Sequence, residues 1–189
     1  MCRERLKTGN SMIIALAGRR VDAADAPEAR FPLRNLELVK MRIREMLRAQ
    51  AATLLVSAAA CGADLLALSE AGGLGIRRRV VLPFERERFK ETSVTDRPGN
   101  WGPLYEKVMD EVEAGGDLVI AKSSAEGKEY VEGNLAIIDE AIRLGREMRQ
   151  SVTAAMIWDG SSRGDDDITE QFGAEAGKRG LPLIEVRTI

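Results

Sequence analysis

Apolar residues along the chain follow two alternating patterns. The first is a set of short uninterrupted runs of strand length: Met12 to Ala17 (MIIALA), Leu54 to Ser57, Arg79 to Phe84 (RVVLPF), Asp117 to Ala121, Val152 to Trp158 (VTAAMIW) and Leu183 to Val186. The second is a spacing of three and four residues, which places apolar side chains on one face of a helix. From Leu33 to Ala52 this face is Leu36, Val39, Ile43, Met46 and Leu47. It recurs from Asp64 to about Leu74, from Trp101 to Ala114 (Leu104, Val108, Val112), from Asn134 to Arg149 (Leu135, Ile138, Ile142) and from Ile168 to Lys178. The stretches between read as loops: Val21 to Pro32, Ser123 to Gly133 and Asp159 to Asp167. Glu85 to Asn100 is the least regular segment, and Asp96-Arg97-Pro98-Gly99-Asn100 within it has the composition of a turn.

Strands alternating with helices predict an α/β fold: a Rossmann-like three-layer α/β/α sandwich with a mostly parallel sheet of about six strands. Residues 12–189 are expected to form this domain, with 1–11 as a flexible tail. In such sheets ligands lie beyond the carboxyl ends of the strands, where the strand order reverses. The candidate positions are therefore Gly18-Arg19-Arg20, Ser57 to Asp64, Pro83-Phe84-Glu85, Ala121 to Ser124 and Asp159-Gly160.

Composition removes several chemistries. The 189 residues contain no histidine, so Ser–His–Asp and Cys–His nucleophile pairs and histidine-based zinc sites are excluded within this chain. A net charge of −2 gives no electrostatic reason to expect nucleic acid. No apolar run is long enough to span a bilayer, and the first ten residues lack the apolar stretch of a signal peptide, so the expected location is cytoplasmic. Cys2 and Cys61 form no metal-ligand cluster, and no metal site is expected.

The strand–small loop–helix run from Thr53 to Ala71, TLLVSAAACGADLLALSEA, is a way of holding phosphate. Tiny side chains let the backbone approach a ligand, and the first helical N–H groups have no intrahelical partner. Ser57, Ala58, Gly62 and Ala63 are the candidate phosphate contacts, with Gly18 allowing a tight turn after the first strand. Arg19 and Arg20 suit a bidentate phosphate contact, or else are solvated or paired with carboxylates. Asp64 caps the following helix or binds ribose. Phe84 stacks on a base or packs under a helix. Glu85 binds a ribose hydroxyl or serves as the acid–base group, while Glu85-Arg86-Glu87-Arg88 reads most simply as an exposed charged turn. There is no G-x-x-x-x-G-K-[ST] and no G-x-G-x-x-G, so neither a P-loop nor the usual dinucleotide fingerprint is present. The acidic loop Asp159 to Asp167 lacks calcium-loop spacing; Asp166 or Asp167 is expected to cap the next helix.

IALAGRR, VSAAACGADLLALSEA and VVLPF, in this order, resemble the SLOG superfamily, which includes the DNA-processing protein DprA and the LOG-type phosphoribohydrolases. Asp25-Ala26-Pro27-Glu28-Ala29-Arg30-Phe31-Pro32 and Trp158-Asp159-Gly160 are similar to patterns in uncharacterised SLOG-like domains. The resemblance covers about residues 12 to 187 and implies a Rossmann-like domain binding a nucleotide or nucleotide derivative at the strand ends, where Asp159 and Gly160 join the candidate contacts. The P-G-G-x-G-T-x-x-E run of the phosphoribohydrolases is absent, and the D-G-x-x-G-G-T form of the last loop is replaced by Asp159-Gly160-Ser161-Ser162-Arg163-Gly164-Asp165.

The leading expectation is a ligand-sensing module that holds a nucleotide, with no cofactor required. The alternatives are an enzyme cleaving a nucleotide N-glycosidic bond through Glu85, and a scaffold with a vestigial cleft. Oxocarbenium-type sugar chemistry needs only carboxylates, so the lack of histidine leaves the enzyme reading open. The expected partner is a small nucleotide-type molecule, with self-association into a homodimer.

Overall fold

A computed structural model describes residues 11–121 and 127–189. Among the described residues six strands form one sheet: β1 (Met12–Gly18), β2 (Ala52–Ser57), β3 (Arg77–Leu82), β4 (Leu118–Ile120), β5 (Ser151–Trp158) and β6 (Leu183–Arg187). Every pairing is parallel, in the order β4-β3-β2-β1-β5-β6. The helices are α1 (Leu36–Ala49), α2 (Ala63–Gly73), α3 (Arg86–Ser93), α4 (Gly102–Ala114), α5 (Glu129–Met148) and α6 (Ile168–Lys178), with a single 3₁₀ turn, Leu33–Asn35, ahead of α1.

Strand alternation divides the core into two layers. Ile14 and Leu16 of β1 face the layer built from α1, α2, α3 and α4; Ile13, Ala15 and Ala17 face α5 and α6. From β1 the chain steps outward through β2 and β3 to β4, then returns through α5 to β5 on the other side of β1. The right-handed crossover rule puts helices on opposite faces when the direction of stepping reverses. The order thus reverses between β1 and β5, and the crevice of the fold lies beyond the carboxyl ends of those two strands.

Two glycines lock the loops at this end. A Cβ on Gly18 would lie 2.4 Å from the Ala63 Cβ and 2.8 Å from the Ile157 carbonyl oxygen. Gly62 has φ +98°, and a Cβ there would lie 2.8 Å from both the Arg19 carbonyl oxygen and the Val21 nitrogen. The space these glycines leave is filled by the neighbouring loop. Ala63 N–H donates to the Arg19 carbonyl at 3.1 Å, closing the contact.

Several boundaries differ from the pattern reading, each for a physical reason. Glu85 to Asn100 contains α3, whose eight residues bury only Phe89 and Ser93. One aromatic in two turns gives no periodicity; the helix is held by Phe89 against Phe84 and Tyr105. Arg86 is accordingly not in an exposed turn but half-buried among Glu106, Asp110 and Glu113 of α4. β3 begins two residues early because Arg77 and Arg79 pair with Asp117, and Arg78 with Glu111. α5 starts at Glu129, ahead of its apolar stripe, and α1 ends at Ala49 so that Ala51, at φ +46°, can turn the chain into β2. Part of the expected loop Ser123 to Gly133, and Lys122 to Ser124 of the expected strand-end site, lie outside the described residues.

Gly62→Ala forces an L-residue into a glycine conformation against fixed backbone. The variant is expected to lose roughly 2–5 kcal/mol of stability in urea unfolding. A loss below about 0.5 kcal/mol, the usual range for an inconsequential surface change, contradicts the interlocked-loop account.

Candidate functional site

A cavity of about 380 Å³ opens at the carboxyl end of the sheet, within the size range of small-molecule sites. Its floor is Ala17 and Gly18 of β1, Ala58, Val81 and Pro83. One wall is Arg20, Ala60, Asp64, Thr92, Ser93 and Arg97; the opposite wall is the β5–α6 loop with Arg163, Asp166 and Asp167, followed by Ile168 and Thr169 of α6. Tyr130, Gly133 and Asn134 of α5 complete the lining.

The consecutive arginines after β1 diverge. Arg19 is 3% exposed. Its Nε donates to Asp159 at 2.8 Å, Nη1 to Asp167 at 2.6 Å and Nη2 to the Ser161 carbonyl at 2.7 Å. All three guanidinium nitrogens are thus engaged by the β5–α6 loop. Arg30 joins the cluster, donating to Asp159 Oδ2 at 2.7 Å. Burial opposes the Asp167 charge, but Arg19 and the amides of Glu170 and Arg163 outweigh it and hold its pKa below the usual carboxylate value. Asp167 also caps α6 through the Thr169 and Glu170 amides, as its position in the acidic loop predicts. Arg20 turns the other way, pairing with Asp96 and donating to the Thr92 carbonyl at 3.2 Å; its buried Nε has no hydrogen bond among the described residues.

Asp64 is a buried and half-satisfied carboxyl. It is 6% exposed and borders the cavity. Oδ2 accepts from the Ala60 amide at 3.3 Å, whereas among the described residues the buried Oδ1 has no hydrogen-bond partner; the Gly18 amide acts on the carboxyl without reaching hydrogen-bond geometry. Burial pushes its pKa up to about 7; the Ala60 and Gly18 amides and the Arg20 charge only partly offset that. Asp64 does not cap α2, whose N-cap position is Gly62. The β2–α2 loop is also less open to phosphate than its composition predicts. Ala63 N–H donates to Arg19, Leu65 N–H to Ala60, and Cys61 N–H to Ser93. Burial raises the Cys61 thiol pKa despite the adjacent Arg20, which leaves it a poor nucleophile.

Of the residues expected at the site, Gly18, Arg19, Arg20, Ala58, Asp64 and Pro83 border the cavity. Ser57 is fully buried with its hydroxyl unpartnered, and Gly62 and Ala63 are absorbed in the loop interlock. Phe84 packs edge-on against Tyr130 at 5.6 Å, beneath the Arg88 guanidinium at 4.2 Å. Glu85 is exposed at the N-cap position of α3 and is not part of the lining; its backbone turns it outward just as the helix begins. Asp159 is consumed by Arg19 and Arg30, and Gly160, at φ +88°, makes room for Arg187.

The pattern reading missed Tyr130, Asn134, Arg97, Arg163 and Thr169. The strand-end rule pointed at the correct loops after β4 and β5 but stopped too early in each. Arg97 lies in a segment with no periodic signal. Among the described residues, no group of three or more Cys, Asp or Glu side chains could hold a metal ion, and no helix is long and apolar enough to cross a membrane.

No protein-family model matches the chain, and no curated protein matches it either. Among solved structures it is similar to DNA processing protein A (DprA) from Streptococcus pneumoniae, with a TM-score of 0.41 and 11% identity, over 93% of this chain. The match spans 59% of that protein's length. At this score and identity the likeness says nothing of ligand or activity.

Two outcomes follow from the charge arrangement. Arg19→Met leaves Asp167 without its counter-ion and Asp159 with Arg30 alone, and is expected to cost about 3–5 kcal/mol in urea unfolding at pH 7; a loss under 1 kcal/mol refutes the role of Arg19 as the tie across the cleft. For Asp64, the folded pKa of about 7 lies above the ordinary 3.8. Its contribution is therefore fully present below pH 4 and lost as pH rises through 7. Asp64→Asn should stabilise the protein at pH 8, by up to ~4 kcal/mol, and have little effect at pH 4. An equal change at both pH values contradicts the buried, proton-holding carboxyl.

Proposed function

We propose that the cavity binds a small nucleotide-type ligand and that the protein is a ligand-responsive module. The observation that carries this reading is the buried Asp64 carboxyl with an unpartnered oxygen, set in a cavity at the switch point of a parallel sheet. A buried polar oxygen without a partner is costly, and a ligand donor such as a sugar hydroxyl would satisfy it. Arg97 and Arg163 supply positive charge for an anionic group, and Tyr130 offers an aromatic surface for a base. In this role Tyr130 replaces Phe84, whose ring packs on Phe89 and on Tyr130 itself.

Turnover at an N-glycosidic bond is the second reading, and it rests on Asp64 rather than Glu85. A carboxyl with pKa about 7 facing a cavity is poised for acid–base work near neutral pH. The likeness of the sequence motifs to SLOG domains, which include glycosidic-bond hydrolases, is an analogy of fold and adds no catalytic residue.

Nucleoside mono-, di- and triphosphates, NAD and ADP-ribose at millimolar concentration are expected to include at least one that raises the melting temperature. Saturation at about 100 times Kd stabilises by roughly 2.7 kcal/mol, a rise of roughly 5–10 °C for a chain this long. Chromatography of each hit is expected to show no released base. Base release that disappears in Asp64→Asn establishes the second reading, and no shift with any ligand sinks both.

A further inference from the structure

The cavity has two chemically opposite ends. At one, the free Asp64 Oδ1 accepts hydrogen bonds and, once ionised, repels anions. Three of the neighbouring amides are already donated: Ala60 N–H to Asp64 itself, Ala63 N–H to the Arg19 carbonyl and Leu65 N–H to the Ala60 carbonyl. Composition favours phosphate at this loop, and these hydrogen bonds occupy part of its set of amide donors.

At the other end stands Arg163. Among the described residues its guanidinium makes no hydrogen bond and no ion pair, although it borders the cavity. Desolvation and the neighbouring charges of Arg19 and Arg30 hold its pKa down, against the pull of Asp167 and Asp159. Those two carboxylates are already spent on Arg19 and Arg30. Thr169, 7% exposed, presents a hydroxyl with no hydrogen bond among the described residues. The exposed Asp166 also borders this end but forms no pair with Arg163. An exposed guanidinium without a protein partner among the described residues, lining the same cavity as the Thr169 hydroxyl, is a fitting receptor for an anionic group.

We infer that the cleft is polarised: Arg163 and the Thr169 hydroxyl take the phosphate of the ligand, and the free Asp64 oxygen takes a sugar hydroxyl at the opposite end. This rests on the reading of the cleft as a nucleotide-type site and fixes the ligand class as a phosphorylated ribonucleoside or close relative. The phosphate lies at the β5–α6 loop, and not at the β2–α2 loop.

The test is calorimetric titration of the full chain with the four nucleoside 5′-monophosphates, the matching unphosphorylated nucleoside of whichever binds, and its 2′,3′-dideoxy monophosphate. Arg163→Gln is expected to weaken the monophosphate roughly tenfold or more while shifting the nucleoside less than about twofold. Wild-type protein is expected to prefer the ribose form to the dideoxy form by roughly tenfold, and Asp64→Leu, which keeps the size and removes the acceptor, to abolish that preference. Asp64→Leu is titrated after its folding has been verified by circular dichroism. Thr169→Val, which keeps the shape and removes the hydroxyl, should weaken the monophosphate selectively by a smaller factor. A phosphate-specific loss in Arg97→Gln with none in Arg163→Gln overturns the polarity, as does a ribose preference unchanged in Asp64→Leu; both leave the nucleotide site standing. Failure of wild-type protein to bind any of the four monophosphates overturns the polarity, and failure with the wider nucleotide panel as well removes the site.

Discussion

The buried guanidinium of Arg19 is the tie on which the cleft depends. It leaves the end of β1, crosses the point where strand order reverses, and binds Asp159, Asp167 and the Ser161 carbonyl on the far side. The crevice of a doubly wound sheet is formed by two loops that diverge at this point. Here one side chain fixes their separation. Asp167 in turn caps α6, so the same contact sets where α6 begins and how Thr169 meets the cavity. Ion pairs this deeply buried add little net stability over apolar packing, because desolvation offsets attraction. The consequence of the cluster is geometric.

That arrangement changes how the arginines of the cleft are understood. Arg19 and Arg20 occupy the positions where a phosphate-binding arginine belongs, yet both have committed partners: Arg19 the acidic loop, Arg20 Asp96 and the Thr92 carbonyl. The arginine without a committed partner among the described residues is the exposed Arg163, which pairs with neither Asp159 nor Asp167. Asp64 completes the contrast, as a carboxyl that the fold buries and leaves half-satisfied. Protein groups that are stable only when something else binds are frequent at functional sites, and stability is the usual cost of keeping them.

The layer architecture was legible in the sequence because it follows from local apolar patterning. β1, β5 and α6 fall where their runs and periodicity put them, and the single parallel sheet follows from strict alternation of strand and helix. α3 was not legible, since its one buried aromatic leaves no period to detect. The site was legible by location and not by role. That Gly18, Arg19, Asp64 and Pro83 lie at the strand ends follows from chain position. That Arg19 is paired with residues 140 and 148 positions away does not. Glu85 illustrates the same limit: one residue past Phe84, the start of α3 turns it out of the cleft. Glycine content in the loops misled in a related way, since Gly18 and Gly62 make room for adjacent backbone as well as for any ligand.

The most direct test of the account is to map the ligand onto the backbone. Amide chemical shifts of the isotopically labelled full chain, followed during titration with a bound nucleoside 5′-monophosphate, should change in three clusters: Ala58 to Asp64, Tyr130 to Asn134 and Arg163 to Thr169. The largest changes should fall in the last cluster. Shifts confined to the edges β4 and β6, or to the outer face of α1, would contradict the cleft at the β1–β5 switch as the binding site.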